Sequence, residues 1–166
     1  MRKILCFLLA VCCFAGIFGC TLDHDKPENS VSVFFKREKT VYGTADGVIG
    51  ETYLEAAGRK ADYAYLLNVY LQMPPGEGFA ATYPKGVTMI SFKLQGLTAK
   101  VVLSDQIAEL TSMELTIALI CLTKTVMSVT GCQEVIISAT TKQLDGQNFV
   151  TLNKDSYLLL DDSGTA

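Results

Sequence analysis

The spacing of apolar side chains changes along the chain, and each change marks an element. Val31 to Lys36 (VSVFFK) is β-branched and aromatic and reads as an opening strand. Tyr42 to Gly50 is punctuated by glycine, with Asp46-Gly47 as the hairpin corner, and Glu51 to Ala56 resumes a strand-like alternation. Tyr63, Leu66, Leu67, Tyr70 and Leu71 then fall at i, i+3, i+4, i+7 and i+8, the single stripe of a helix that must lie on something apolar. Asp62 is placed to cap its start, and Pro74-Pro75 to stop its end.

Val87 to Leu94 (VTMISFKL), a Gln95-Gly96 turn and Thr98 to Leu103 (TAKVVL) read as an antiparallel hairpin. Thr111 with Glu114 three residues on has the form of a capping box. Met113 to Val126 behind it is apolar over more than half its circumference, so this helix is expected to be buried between a sheet and another surface, with Gly131 as its end. Glu134 to Ala139 (EVIISA) is a short buried-type strand and Asp145-Gly146 a turn, while 149–152 and 157–160 could add two edge strands. The order β, β, α, β, β, α, β predicts an α/β plan, an α+β-like two-layer sandwich with a mixed sheet packed by two main helices. One domain over 31–162 and a tail over 163–166 are expected.

The first twenty residues follow a different pattern. Arg2 and Lys3 make a positive end, Ile4 to Phe18 carries no charge, and Gly19 stands just before Cys20. That is the plan of a signal peptide over 1–19. A cysteine at the cut site points to lipoprotein export, because its thiol can take a diacylglyceryl group, so Cys20 is the expected lipidation site and palmitate the expected lipid. The apolar run of about 16 residues is shorter than the roughly 20 that span a bilayer. The polar stretch up to Ser30 reads as a tether over 20–30.

Charge narrows the partners. Loss of Arg2 and Lys3 with the leader leaves 12 basic against 17 acidic side chains, a net charge of −5. An acidic chain with no basic cluster beyond Lys36-Arg37-Glu38-Lys39 is not expected to bind nucleic acid. Of six cysteines only Cys121 and Cys132 remain in the folded part, too few for a disulfide framework, and they are read as two thiols.

Candidate chemistry is sparse. Asp23-His24-Asp25 on a tether makes a weak chelate, and no metal or cofactor is expected. A lone His24 leaves Ser-His and Cys-His nucleophile schemes without their imidazole. Gly43, Gly47 and Gly50 fit neither a P-loop nor a dinucleotide fingerprint and are explained by turns. Asp105 and Glu109, at i and i+4, could pose as paired carboxylates, but a strand-end cap and a solvated face account for them. Glu51 and Glu55 read as the wet face of a strand. Tyr63, Tyr65, Tyr70 and Tyr83 could line a ligand patch, although Tyr63 and Tyr70 already belong to the helix stripe. No catalytic residue is assigned.

From Val31 to about Leu144 the chain resembles the GerMN domain, a sporulation and spore-germination family of exported bacterial lipoproteins. The likeness is carried by the VFF strand, by LLNVYLQMPP, by YPKGVTMISFKL, by GLTAKVVLSDQI, and by LTIALICLTKTVMSVTGCQEVIISA. Met73-Pro74 departs from the family's glycine-proline, and the domain stands here as a single copy of one that can occur in tandem. The resemblance implies a non-enzymatic module similar to ring-building motifs, acting by contact with envelope or sporulation proteins and by self-association. With Cys20 lipidated, the protein would sit on the outer face of the cytoplasmic membrane. The alternative expectation is a small-ligand-binding lipoprotein that serves a transporter or an envelope sensor.

Overall fold

The computed structural model describes residues 27–42 and 47–156. Its strands are β1 (Ser30–Lys36), β2 (Ile49–Glu55), β3 (Met89–Gln95), β4 (Thr98–Leu103), β5 (Glu134–Ala139) and β6 (Val150–Asn153), and its helices are α1 (Tyr63–Gln72) and α2 (Ser112–Thr130). The class is mixed α/β with two main helices, as the pattern predicts. The strands divide between two sheets. β1 and β2 form an antiparallel ribbon, and the other four make a mixed sheet in the order β3-β4-β5-β6. β4 and β5 run parallel while both flanking pairs are antiparallel, so the chain must cross over between β4 and β5, and α2 is that crossover.

The two-sided apolarity of α2 is explained by its position. Leu115, Ala118, Leu119, Leu122 and Val126 join the main core with Ala99, Val101 and Leu103 of β4 and Val135 and Ile137 of β5. Ile117, Ile120 and Cys121 turn the other way and meet Ile49, Phe34 and Val48 of the ribbon. At 19 residues α2 has the length and composition of a membrane span. Here sheets on two sides do what lipid would do, and ten of its side chains are buried among them. α1 lies beside it with Leu66, Leu67, Tyr70 and Leu71 buried, and its Tyr63 ring meets Phe92 of β3 edge-on at 6.2 Å.

Local signals held to different degrees. The Asp62 carboxylate accepts the Tyr65 N–H at 3.1 Å and caps α1. Gly131, at φ 73°, ends α2 with its N–H on the Met127 carbonyl. Asp145 (φ 48°) and Gly146 (φ 79°) form a tight turn closed by two Leu144–Gln147 hydrogen bonds. The capping box does not form. Thr111 is the N-cap of α2 but makes no side-chain capping bond; the Glu114 N–H reaches only its backbone carbonyl, at 3.0 Å. Gly50 is not a turn residue either: it lies inside β2, where a Cβ would stand 2.6 Å from the Phe79 ring and 2.8 Å from the Arg37 guanidinium carbon. Cys121 and Cys132 are both buried and form no disulfide. The expected strand at 157–160, the corner at Asp46 and the whole leader lie outside the described residues.

Candidate interaction surface

Alternation along β4 and β5 gives the four-stranded sheet two unlike faces. Ala99, Val101, Leu103, Val135 and Ile137 point into the core. Lys100, Val102, Ile136 and Ser138 therefore point out, and among the described residues no helix covers that side. Lys93 of β3 stands directly opposite Lys100 of β4, and Val102 opposite Ser138 of β5. Val102, Ile136 and Ser138 line a shallow depression of about 420 Å³ with Lys100, Asn148 and Phe149, whose ring is 58% exposed. Two cations face each other across adjacent strands here, a juxtaposition that is repulsive unless a counter-charge arrives.

β3 forms one edge of this sheet and is mostly exposed. Gln95 and Thr98 flank a two-residue turn at Gly96-Leu97, so Gln95, Lys93 and Ser91 direct their backbone groups to β4. Phe92 and Leu94 direct theirs outward, and among the described residues these groups meet no hydrogen-bond partner. Ile90, which interrupts the register with β4, is 56% exposed, and Leu94 and Leu97 add apolar surface beside it.

β1, the outer strand of the ribbon, is the reverse case. Its Phe34 N–H donates to Thr125 Oγ1 of α2 at 3.0 Å, and its Phe34 carbonyl accepts from the Tyr70 hydroxyl of α1 at 2.5 Å. Lys36 N–H donates to Thr82 Oγ1 at 2.9 Å, and the Lys36 carbonyl accepts the Ala80 N–H at 2.9 Å. The Tyr70 hydroxyl also lies 2.7 Å from that of Tyr83, which donates to the Ala118 carbonyl at 3.2 Å. Burial pushes the ionisation of both tyrosines well above 10, so both stay neutral hydrogen-bonding groups.

The carboxylates and tyrosines singled out from sequence are not gathered into one site. Asp105 accepts from Thr141 N–H (2.8 Å), Thr141 Oγ1 (2.5 Å) and Lys142 N–H (3.1 Å), tying the short helical turn after β4 to the loop after β5. These bonds favour its charged form and hold its pKa at about 2. Glu109, Glu51 and Glu55 are exposed. Tyr63 packs on Phe92, Tyr70 is buried beside Phe35, and Tyr65 lies under the Arg59 guanidinium at 4.5 Å, so the four tyrosines serve packing rather than one patch. Among the described residues no cluster of His, Cys, Asp and Glu has the form of a metal site. His24 and Cys20 lie outside them. Sequence reasoning missed the β3 edge, although the exposed Ile90 and Leu94 within a predicted hairpin were the available sign.

No family model matches this sequence, and no curated protein matches it. Solved structures do. The first GerMN domain of the sporulation protein GerM from Bacillus subtilis is similar with a TM-score of 0.55 at 15% identity, over 72% of this chain and 90% of that one. The tandem GerMN domains of the same protein give a TM-score of 0.50 at 15% identity over 72% of this chain, which spans 43% of the tandem. At such identity the likeness is one of fold, and the chain has the fold of a GerMN domain.

Proposed function

We propose that this protein is a non-enzymatic lipoprotein, anchored through Cys20 on the outer face of the cytoplasmic membrane, that acts by protein contacts in sporulation, spore germination or envelope assembly. The observation that carries the reading is the β3 edge of the four-stranded sheet, which among the described residues has no partner strand and lies beside a sheet face that no described helix covers. An unpaired edge offers N–H and C=O groups in the spacing that a partner strand needs, with Ile90 and Leu94 beside it for apolar contact. The carboxylates that could have served hydrolysis are either engaged, as Asp105 is, or dispersed on the surface. The GerMN-like fold and the leader ending in Gly19-Cys20 support the same reading.

Two measurements test it. Cys20→Ala is expected to release the protein from membranes or to leave it unprocessed; normal processing with unchanged membrane retention sinks the anchor. A photo-crosslinking side chain placed at Leu94 in the producing cell is expected to yield a discrete protein adduct, and the same group at Glu55 on the ribbon none. Equal adducts at both positions, or none at Leu94, remove the β3 edge from the reading.

A further inference from the structure

We propose that the strand captured by the β3 edge is an acidic one: an extended segment of another protein that alternates carboxylate with apolar side chains and sets a carboxylate beside Lys93. The inference rests on the proposed use of that edge and names the chemistry of its partner. Among the outward positions of the four strands, Lys93 and Lys100 bear positive charge and only Glu134 bears negative charge. The Glu134 carboxylate accepts from Thr98 Oγ1 at 3.3 Å, and among the described residues neither lysine has an ion-pair partner. Both lysines are exposed. The whole chain has a formal net charge of −3, so two uncompensated cations set directly opposite each other run against its overall balance. Like charges placed in that way are destabilising until an anion comes beside them.

Alternation fixes which residue of the partner meets which residue of β3. The outward N–H and C=O groups of Phe92 and Leu94 are those an added strand bonds to. Lys93, between them, has its backbone bonded to β4 and its side chain on the outer face, with Ser91 and Gln95 two residues to either side. The partner side chain beside Lys93 falls on that same face, with about 4.5 to 5.5 Å between Cβ atoms. A carboxylate there is within reach of the Lys93 ammonium, and Lys100, one strand further in, adds to the attraction. The partner residues before and after it lie on the other face, beside Phe92 and Leu94, and are apolar. A cation at 94 therefore meets an apolar neighbour and opposes capture. A second copy of β3 is a poor occupant, since it brings its own Lys93 and Lys100 to the same face. A phospholipid headgroup would neutralise the lysines but offers no ladder of groups to Phe92 and Leu94.

Two short end-capped peptides, one alternating Val with Glu and the other Val with Lys, titrated onto the mature chain, test the inference. The Glu peptide is expected to bind at least about fivefold tighter than the Lys peptide, although the net charge of the chain favours the reverse. It is also expected to slow exchange of the Phe92 and Leu94 amides severalfold and to leave the Lys93 amide, already bonded to β4, unchanged. Lys93→Glu combined with Lys100→Glu should invert the preference at an unchanged melting temperature. Lys39→Glu combined with Lys60→Glu makes the same change in net charge outside this sheet and should keep it. Equal affinity for both peptides, with Phe92 and Leu94 protected, refutes the acidic partner and leaves the edge in its proposed role. No protection by either peptide overturns strand capture itself, which the Leu94 crosslink reads separately in the cell. Protection that needs no peptide and grows with protein concentration assigns the edge to a second copy. Sedimentation with phosphatidylglycerol vesicles that the Lys93→Glu and Lys100→Glu pair abolishes assigns the lysines to the membrane, and either of these last results overturns the proposal.

Discussion

β1 and β3 are both seven-residue strands at the outside of a sheet, yet their outward edges are in opposite conditions. Around β1 every outward group from Phe34 to Lys36 is met by a side chain or by the passing backbone, drawn from α1, α2 and the 80–82 segment. Around β3 the outward groups of Phe92 and Leu94 meet no partner among the described residues. The difference follows from burial. Val31, Val33 and Phe35 sit in the core, so unpaired backbone groups beside them would carry the full cost of desolvation. β3 is mostly exposed and bears no such cost. One edge is closed by the fold's own hydrogen bonds, and the other is left unpaired among the described residues.

The largest break in this comparison comes from the element on which both sheets rest. Leu119→Ala removes a side chain that is 5% exposed in the main core and is expected to cost about 2 to 5 kcal/mol. A denaturant melt that loses less than roughly half a kcal/mol would show α2 to be peripheral and the closure of β1 to rest on something else.

The closing bonds themselves come next. Thr125→Val keeps the volume of the side chain but leaves the Phe34 N–H without its acceptor, and is expected to cost about 1 to 3 kcal/mol. Tyr70→Phe withdraws a donor from the Phe34 carbonyl and a neighbour from Tyr83, with a loss of similar size. Because burial raises the ionisation of Tyr70 above its ordinary value of 10, its contribution is fully present below pH 10 and is lost as pH climbs above that. Wild type should therefore lose stability more steeply than Tyr70→Phe in that alkaline range. Parallel curves would mean that the hydroxyl does not hold the edge.

Asp105 sharpens the comparison from the other sheet, where a loop rather than a strand edge is pinned. Its pKa is lowered from 3.8 to about 2, so its stabilisation is present above pH 3.8 and disappears as pH falls toward 2. Asp105→Asn is expected to flatten the acid limb of stability between those values, read by melting temperature against pH. An unchanged acid limb would take the Thr141 and Lys142 bonds out of the account.

Much of this was legible in residue order, and the rest was not for physical reasons. α2 could be read as buried on two sides because its apolar residues exceed one stripe, and that excess is a local property of Met113 to Val126. The division of the strands into a ribbon and a sheet could not be read, since pairing is decided by contacts between segments far apart in sequence. Gly50 shows the same limit: a glycine that suits a turn is needed instead because the Phe79 and Arg37 side chains cross the strand there. The closure of β1 depends on Thr125, 91 residues from Phe34, and nothing in the order of the chain pairs them.

The smallest effect on stability is expected where the effect on function should be greatest. Leu94→Lys places a charge on the open edge of β3, at a position already 38% exposed, so the melt should move by no more than about 0.5 kcal/mol. Lys93 and Lys100 stand on the opposite face of the same two strands, and a cation at 94 adds to the positive field that an incoming strand must accommodate along this edge. Capture of a partner, or of a second copy, should weaken severalfold in a pull-down that uses the same folded variant. The control is Glu51→Gln on the ribbon, which changes the net charge by the same single unit on the other sheet and should leave capture intact. Loss of capture in the control as well would make net charge the cause, and full capture by Leu94→Lys would return β3 to the status of an ordinary solvated edge.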